Sequence, residues 1–242
     1  LPRWLAVPYG VYALSAFTLL ALLALILILP VPWQTLRRRM VRAAARLALW
    51  VCGMRLVVRH LARLPADACV VVANHSSYLD GIVLYAALPP VFGFVIKREM
   101  SKVPVANLLL RRIGVHYVDR DRSHKSARDT RKLLKKAAAG GALAFFPEGT
   151  FHREPGLLRF RSGAFLVAAR AGLAVMPIAI RGTRRALPGR ALLPRPARIE
   201  IDLTPLLPPP ASTAAQDVAA TVAAARQAIL ARIAEPDLAP DG

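Results

Sequence analysis

Acidic residues are scarce in this chain: 14 Asp and Glu stand against 34 Lys and Arg in 242 residues, a formal charge of +20. That excess excludes strongly basic partners and leaves two polyanions to consider, nucleic acid or an anionic bilayer. Cysteine is nearly missing. Cys52 and Cys69 both sit in apolar runs, so there is no disulfide framework and no thiol ligand spacing, which fits a reducing compartment. The sequence also lacks a Gly-x-Ser-x-Gly elbow, a His-Glu-x-x-His pair and a phosphate-binding Gly-Lys loop. Serine-elbow hydrolysis, zincin chemistry and P-loop chemistry are thereby excluded, and neither a metal nor a bound cofactor is expected. No internal repeat is present. Between Arg3 and Arg37 there is no charge at all.

What is present is apolar: hydrophobic residues make up 55% of the chain, and the mean hydropathy is +0.41. Basic proteins that bind nucleic acid are rarely so apolar, and no nucleic-acid reader motif is found, so the bilayer is the favoured polyanion. Within the uncharged interval, residues 11–29 form an unbroken apolar run. Nineteen helical residues reach about 28 Å, close to a hydrocarbon core of ~30 Å. Pro30 and Pro32 end the run, and Trp33 with Arg37-Arg38-Arg39 follows as an interfacial anchor. Arg42 and Arg46 continue the basic side. A spanning helix would then leave the rest of the chain on the cytoplasmic face of the cytoplasmic membrane, and a hairpin dipping into one leaflet fits the same residues. Residues 41–54 alternate Arg with apolar side chains at helical spacing, giving an amphipathic helix for the bilayer surface or for the protein's own domain. The expected division is a membrane-anchoring segment over 1–54 and a catalytic domain over 55–242.

From Arg55 onward, short apolar runs alternate with helical patterns. Strands are expected at 55–60, 69–73, 91–96, 115–118, 142–146, 174–181 and 198–203, and helices at 81–88, 103–112, 123–139, 162–171 and 214–234. This alternation predicts an α/β fold with a central mixed, largely parallel sheet covered by helices. Residues 187–196 read as a proline-rich loop and 206–210 as a linker. Lys125, Arg128, Lys132 and Lys135 fall on one stripe of the 123–139 helix, either a solvated face or a dock for lipid phosphates or an acidic acyl donor.

The chemistry gathers at Asn74-His75-Ser76-Ser77-Tyr78-Leu79-Asp80, a polar loop leaving the buried run 69–73. His75 carries the one side chain here whose ordinary pKa lies near neutrality, and Asp80 is placed to fix its tautomer from the first turn of the next helix. Helix capping by Ser or Asp would explain the same residues. A second apolar run, 142–146, ends in another polar, glycine-containing turn, Pro147-Glu148-Gly149-Thr150, and two such loops on one sheet would meet at the same edge.

Four blocks occur in order: Asn74-His75 through Asp80, residues 113–120, Phe146-Pro147-Glu148-Gly149-Thr150, and Val175-Met176-Pro177-Ile178. In this order they resemble the lysophospholipid acyltransferase family over roughly residues 50–205, and Lys97-Arg98-Glu99-Met100 with Pro104 adds to the likeness. The resemblance implies transfer of a fatty acyl group from acyl-CoA or acyl carrier protein to the free hydroxyl of a lysolipid, with lysophosphatidic acid the expected acceptor. It also implies His75 as general base and Asp80 as its partner. Asn74, Ser77, Lys97, Arg120, Glu148, Gly149 and Thr150 are the implied substrate-side residues, with Asn74 and Ser77 holding the loop and Arg120 gripping phosphate. The chain departs from the pattern at Phe151, where the family often carries Arg or a small polar residue. That departure leaves another lysolipid, such as lyso-ornithine lipid, as an alternative acceptor. Two other classes are weighed against the enzyme: a nucleic-acid-binding protein and a non-catalytic membrane scaffold. The intact His75, Asp80 and Glu148 argue against the scaffold.

Overall fold

Seven strands form one sheet in the order β1-β7-β6-β2-β5-β3-β4, in a computed structural model that describes residues 3–119, 123–152, 154–189 and 191–239. The strands are β1 Arg55–Arg59, β2 Val70–Ala73, β3 Gly93–Lys97, β4 His116–Val118, β5 Leu143–Phe145, β6 Val175–Arg181 and β7 Arg198–Leu203. Every neighbouring pair is parallel except β6 with β7, so β1 and β7 run against the other five. The central strands are continuous apolar runs because helices cover both faces. Along β2 the side chains alternate as strand geometry requires: Val71 and Ala73 enter one core, Val70 and Val72 the other. The mixed, largely parallel sheet expected from the sequence is what the chain forms.

Register positions the functional loops. Val72 lies beside Phe145 of β5 and Pro177 of β6. The three strands therefore run out together, and the loops starting at Asn74, Phe146 and Gly182 leave from one edge of the sheet. Ligand sites in parallel sheets form at this carboxyl edge.

The helices are α1 Arg3–Ile28, α2 Gln34–Val51, α3 Leu79–Ala87, α4 Pro104–Ile113, α5 Ser123–Ala138, α6 Gly163–Ala171, α7 Thr183–Ala186 and α8 Ala215–Ile233, with short 3-10 turns at Leu61–Arg63 and Arg98–Lys102. Proline opens α4, and Gly114 closes it with φ +74°, the left-handed cap that L side chains disfavour. Phe165 of α6 and Ile229 of α8 pack on one face of the sheet; Val83 and Leu84 of α3 pack on the other, with Leu49 and Cys52 from α2 and its end.

The first two helices differ from expectation. α1 begins eight residues early and runs through Pro8, and α2 begins at Gln34, before the arginine cluster. α1 lies lengthwise on α2. Ala13 and Ile28 are fully buried, the Tyr9 hydroxyl donates to the Cys52 carbonyl, and Tyr12 donates to the Val51 carbonyl at 3.2 Å. The outer face of α1 leaves Leu19, Leu23 and Ile26 exposed.

Arg38, expected at a lipid interface, is instead 7% exposed. It donates to the carbonyls of Ile113 at 2.7 Å, Val91 at 3.2 Å, Pro90 at 3.3 Å and Gly114 at 3.4 Å. Arg42 donates to the carbonyls of Ala86 and Ala87 at the end of α3, where a helix favours a cation. These two arginines serve the fold because the ends of α3 and α4 leave carbonyls that need donors. The single turn α7 was not expected inside the loop region before Pro188. The side chains of Lys125 and Arg128 lie outside the described residues; Lys132 and Lys135 are exposed.

Candidate active site

The loop from β2 to α3 is tightly organised around one carboxylate. Oδ2 of Asp80 accepts the backbone N–H of Ser76 at 2.6 Å and of Ser77 at 2.7 Å, and lies 2.9 Å from Nδ1 of His75. Asp80 is fully buried, whereas the His75 side chain is 21% exposed. With Nδ1 committed to a carboxylate, the imidazole carries its proton there and presents Nε2 as a base. No hydrogen bond holds Nε2 among the described residues. Both explanations considered from sequence have a residue: the Ser77 hydroxyl accepts the Leu79 N–H at 3.2 Å where α3 starts, while Asp80 gathers the loop amides and orients His75.

The ring of His75 is stacked on Phe146, with centroids 4.4 Å apart, and meets the edge of Phe151 at 4.8 Å. Phe151 in turn meets Tyr78 at 4.8 Å. The residue that departs from the family pattern is therefore part of the wall around the imidazole.

Glu148 ties the two loops together. Oε1 accepts the backbone N–H of His75 at 2.6 Å, and Oε2 accepts that of Leu158 at 2.9 Å. The side chain is 4% exposed. Burial pushes its pKa up to about 7; the charges of Asp80 and Glu235 push the same way, and the two amide bonds pull it down. Gly149 adopts φ +78°, which lets the chain turn back so that its N–H bonds the Phe146 carbonyl at 3.1 Å. Thr150 is exposed beside it.

Of the other expected residues, Asn74 and Ser77 hold the loop. Asn74 bonds the Ile180 backbone with both amide atoms, at 3.0 and 2.7 Å, continuing the β2–β6 ladder through a side chain. The Ser77 hydroxyl donates to the Leu187 carbonyl at 2.8 Å. Both residues are buried. Lys97 ends β3 on the same edge and pairs with Glu99 at 3.2 Å. Arg120 lies outside the described residues. Two further residues were not singled out from the sequence: Thr183, whose hydroxyl is 3.2 Å from that of Ser76, and Arg161, which with Arg159, the residue expected to stand in for a basic group at 151, lines a cleft of about 570 Å³. Glu148, Leu158, Phe160 and Ser162 complete that cleft. The run Arg159-Phe160-Arg161 before an apolar helix was the available signal. Among the described residues no group of His, Cys, Asp and Glu is arranged to hold a metal.

The family model described as Acyltransferase matches residues 33–181. A 1-acyl-sn-glycerol-3-phosphate acyltransferase of Chlamydomonas reinhardtii is 33% identical over 172 residues, covering 66% of this chain and 51% of that protein. The enzyme of the same description from Borreliella burgdorferi is 26% identical over 145 residues, covering 60% of this chain and 58% of its own. The chain thus spans little more than half the length of these relatives. The crystal structure of the 1-acyl-sn-glycerophosphate acyltransferase PlsC from Thermotoga maritima shares the fold, with a TM-score of 0.74 at 19% identity over 91% of this chain and 94% of that one. With more than half of its length inside that family model, the chain belongs to the acyltransferase family.

Proposed function

We propose that the chain transfers a fatty acyl group from an acyl thioester, acyl-CoA or acyl carrier protein, to the free hydroxyl of lysophosphatidic acid, forming phosphatidic acid. The observation that carries this reading is the His75 imidazole, tied through Nδ1 to buried Asp80 and open at Nε2. A hydroxyl is a weak nucleophile at neutral pH and needs such a base. In the proposed step Nε2 takes the hydroxyl proton as the oxygen attacks the thioester carbonyl. The C–S bond then breaks, and the imidazolium returns the proton to the departing thiolate. Asp80 stabilises the imidazolium between these two transfers. The phosphate has two candidate holders: Arg120, as the family resemblance implies, and the Arg159–Arg161 cleft beside Glu148. A guanidinium suits phosphate through its planar fork of donors.

The same reading places the enzyme at the cytoplasmic face of a membrane. α1 is long and apolar enough to cross one, but its length rests on α2, which rests on the sheet domain. In this reading α1 lies in one leaflet beside the domain, because a helix crossing away from it would break the bonds of the Tyr9 and Tyr12 hydroxyls to the Cys52 and Val51 carbonyls.

Offering the purified chain lysophosphatidic acid with each donor, and following phosphatidic acid by mass spectrometry, tests the reading. Lyso-ornithine lipid belongs in the same panel, because Phe151 packs on His75 where the family often has a basic or small polar residue. Absence of transfer to every lysolipid from either donor would refute the proposal.

A further inference from the structure

The segment after α8 returns to the active site. Leu157 and Asp237 pair as an isolated parallel bridge: the Leu157 N–H donates to the Pro236 carbonyl at 2.9 Å, and the Leu238 N–H donates to the Leu157 carbonyl at 3.1 Å. Two carboxylates fasten this strap. Glu235 accepts the Gly156 N–H at 2.8 Å and takes Arg184 in a two-pronged pair, Nε at 3.0 Å and Nη2 at 3.1 Å. Arg184 also donates to the His152 carbonyl at 2.7 Å. Asp237 pairs with Arg226, a buried guanidinium that donates to the carbonyls of Leu157 at 3.2 Å and Leu158 at 3.4 Å.

These contacts converge on the two ends of the His75 loop. Leu158 lends its N–H to Glu148, whose other oxygen holds the His75 N–H. Arg184 follows Thr183, which contacts Ser76. Residues 235–239 lie outside the 33–181 stretch that the family model matches.

We propose that Glu235 and Asp237 are positioning residues. The strap 235–239 fixes Gly156–Leu158 and, through Glu148, sets the place of His75. The inference rests on the acyltransferase reading for its catalytic consequence only. A loop of this length, released, would regain conformational freedom, and misplacement of a catalytic group by ~1 Å can cost ~10²-fold in rate.

Glu235→Gln keeps an acceptor for Gly156 but loses the charged fork to Arg184. Its kcat should fall about tenfold at a temperature where its melting curve shows it folded. Amide hydrogen exchange at Gly156, Leu157 and Leu158 should quicken by about the same factor. Combined with Glu148→Gln, it should cost less than the product of the two single losses, because both bear on the one His75 loop. A strap that merely stabilises the fold would lower the melting temperature, leave kcat intact and give multiplying effects; that result overturns the proposal. Should Glu235→Gln fail to fold, Arg184→Lys keeps the charge and loses the fork, and unchanged exchange at 156–158 in that variant overturns it too. If the wild-type chain transfers no acyl group, the acyltransferase reading fails, and the exchange measurement alone decides whether the strap holds the loop.

Discussion

Replacing Glu148 by Gln probes the joint between the two active-site loops. The carboxylate accepts two N–H groups, from His75 and Leu158. An amide has one accepting oxygen, so one N–H is left facing an NH₂ group in a buried place. A hydrogen bond to a charged group contributes ~1.5–3 kcal/mol, and at ~1.4 kcal/mol per tenfold the loss in kcat/KM should be on the order of ten- to a hundredfold. Stability should respond in the other direction as pH rises. Burial has moved this carboxyl from 4.5 to about 7, so the folded chain binds its proton more tightly than the unfolded chain does. The stabilisation this gives is fully present below pH 4.5 and is lost as pH rises through about 7. Its size is ~3 kcal/mol, at ~1.4 kcal/mol per pH unit. Gln does not titrate, so the unfolding free energy of wild type minus that of Glu148→Gln should fall by about that amount across the window. Urea unfolding in detergent at a series of pH values measures it. Parallel profiles for the two proteins would refute the reasoning.

Asp80→Asn keeps an acceptor for the Ser76 and Ser77 amides but removes the charge facing His75, so kcat should drop about a hundredfold while the fold survives; wild-type turnover would contradict the assignment. Arg38→Met should lower the unfolding free energy by about 2–4 kcal/mol, because the carbonyls it serves lose a charged donor. A loss of vesicle binding at unchanged stability would return Arg38 to the lipid interface. Changing exposed Leu19, Leu23 and Ile26 of α1 together to Ser should weaken binding to anionic vesicles at least tenfold, as each buried apolar side chain is worth ~1.5–3 kcal/mol; unchanged sedimentation with vesicles would place the membrane contact elsewhere.

The sheet was legible in the sequence because its strands are short runs of Val, Ile and Phe between polar turns, and all seven fall within two residues of expectation. The His75–Asp80 pair was legible because only five positions separate a loop histidine from a carboxylate in the first turn of the helix that follows. Pairings across the fold were not. Glu148 joins amides 73 and 10 residues away, a relation no local pattern carries. Arg38 sits in a triplet that reads as an interfacial anchor, and only the fold brings the open carbonyls of α4 to it. The strap residues Glu235 and Asp237 look like a polar tail. One sign was available: Arg226 stands beside Ala225 and Ile229 of the apolar stripe of α8, and a charge buried there needs a partner. The early start of α1 was obscured by Pro8, which reads as a helix stop yet lies in the second turn of α1.

The central claim is that His75 removes a proton from the acceptor hydroxyl. Its most direct test is the transfer rate of His75→Ala at saturating donor and acceptor, on protein whose unfolding matches wild type. Loss of a general base removes ~10²–10⁴ in rate, so kcat should fall into that range with the apparent affinity for lysophosphatidic acid little changed. A folded His75→Ala enzyme that turns over as wild type does would contradict the account.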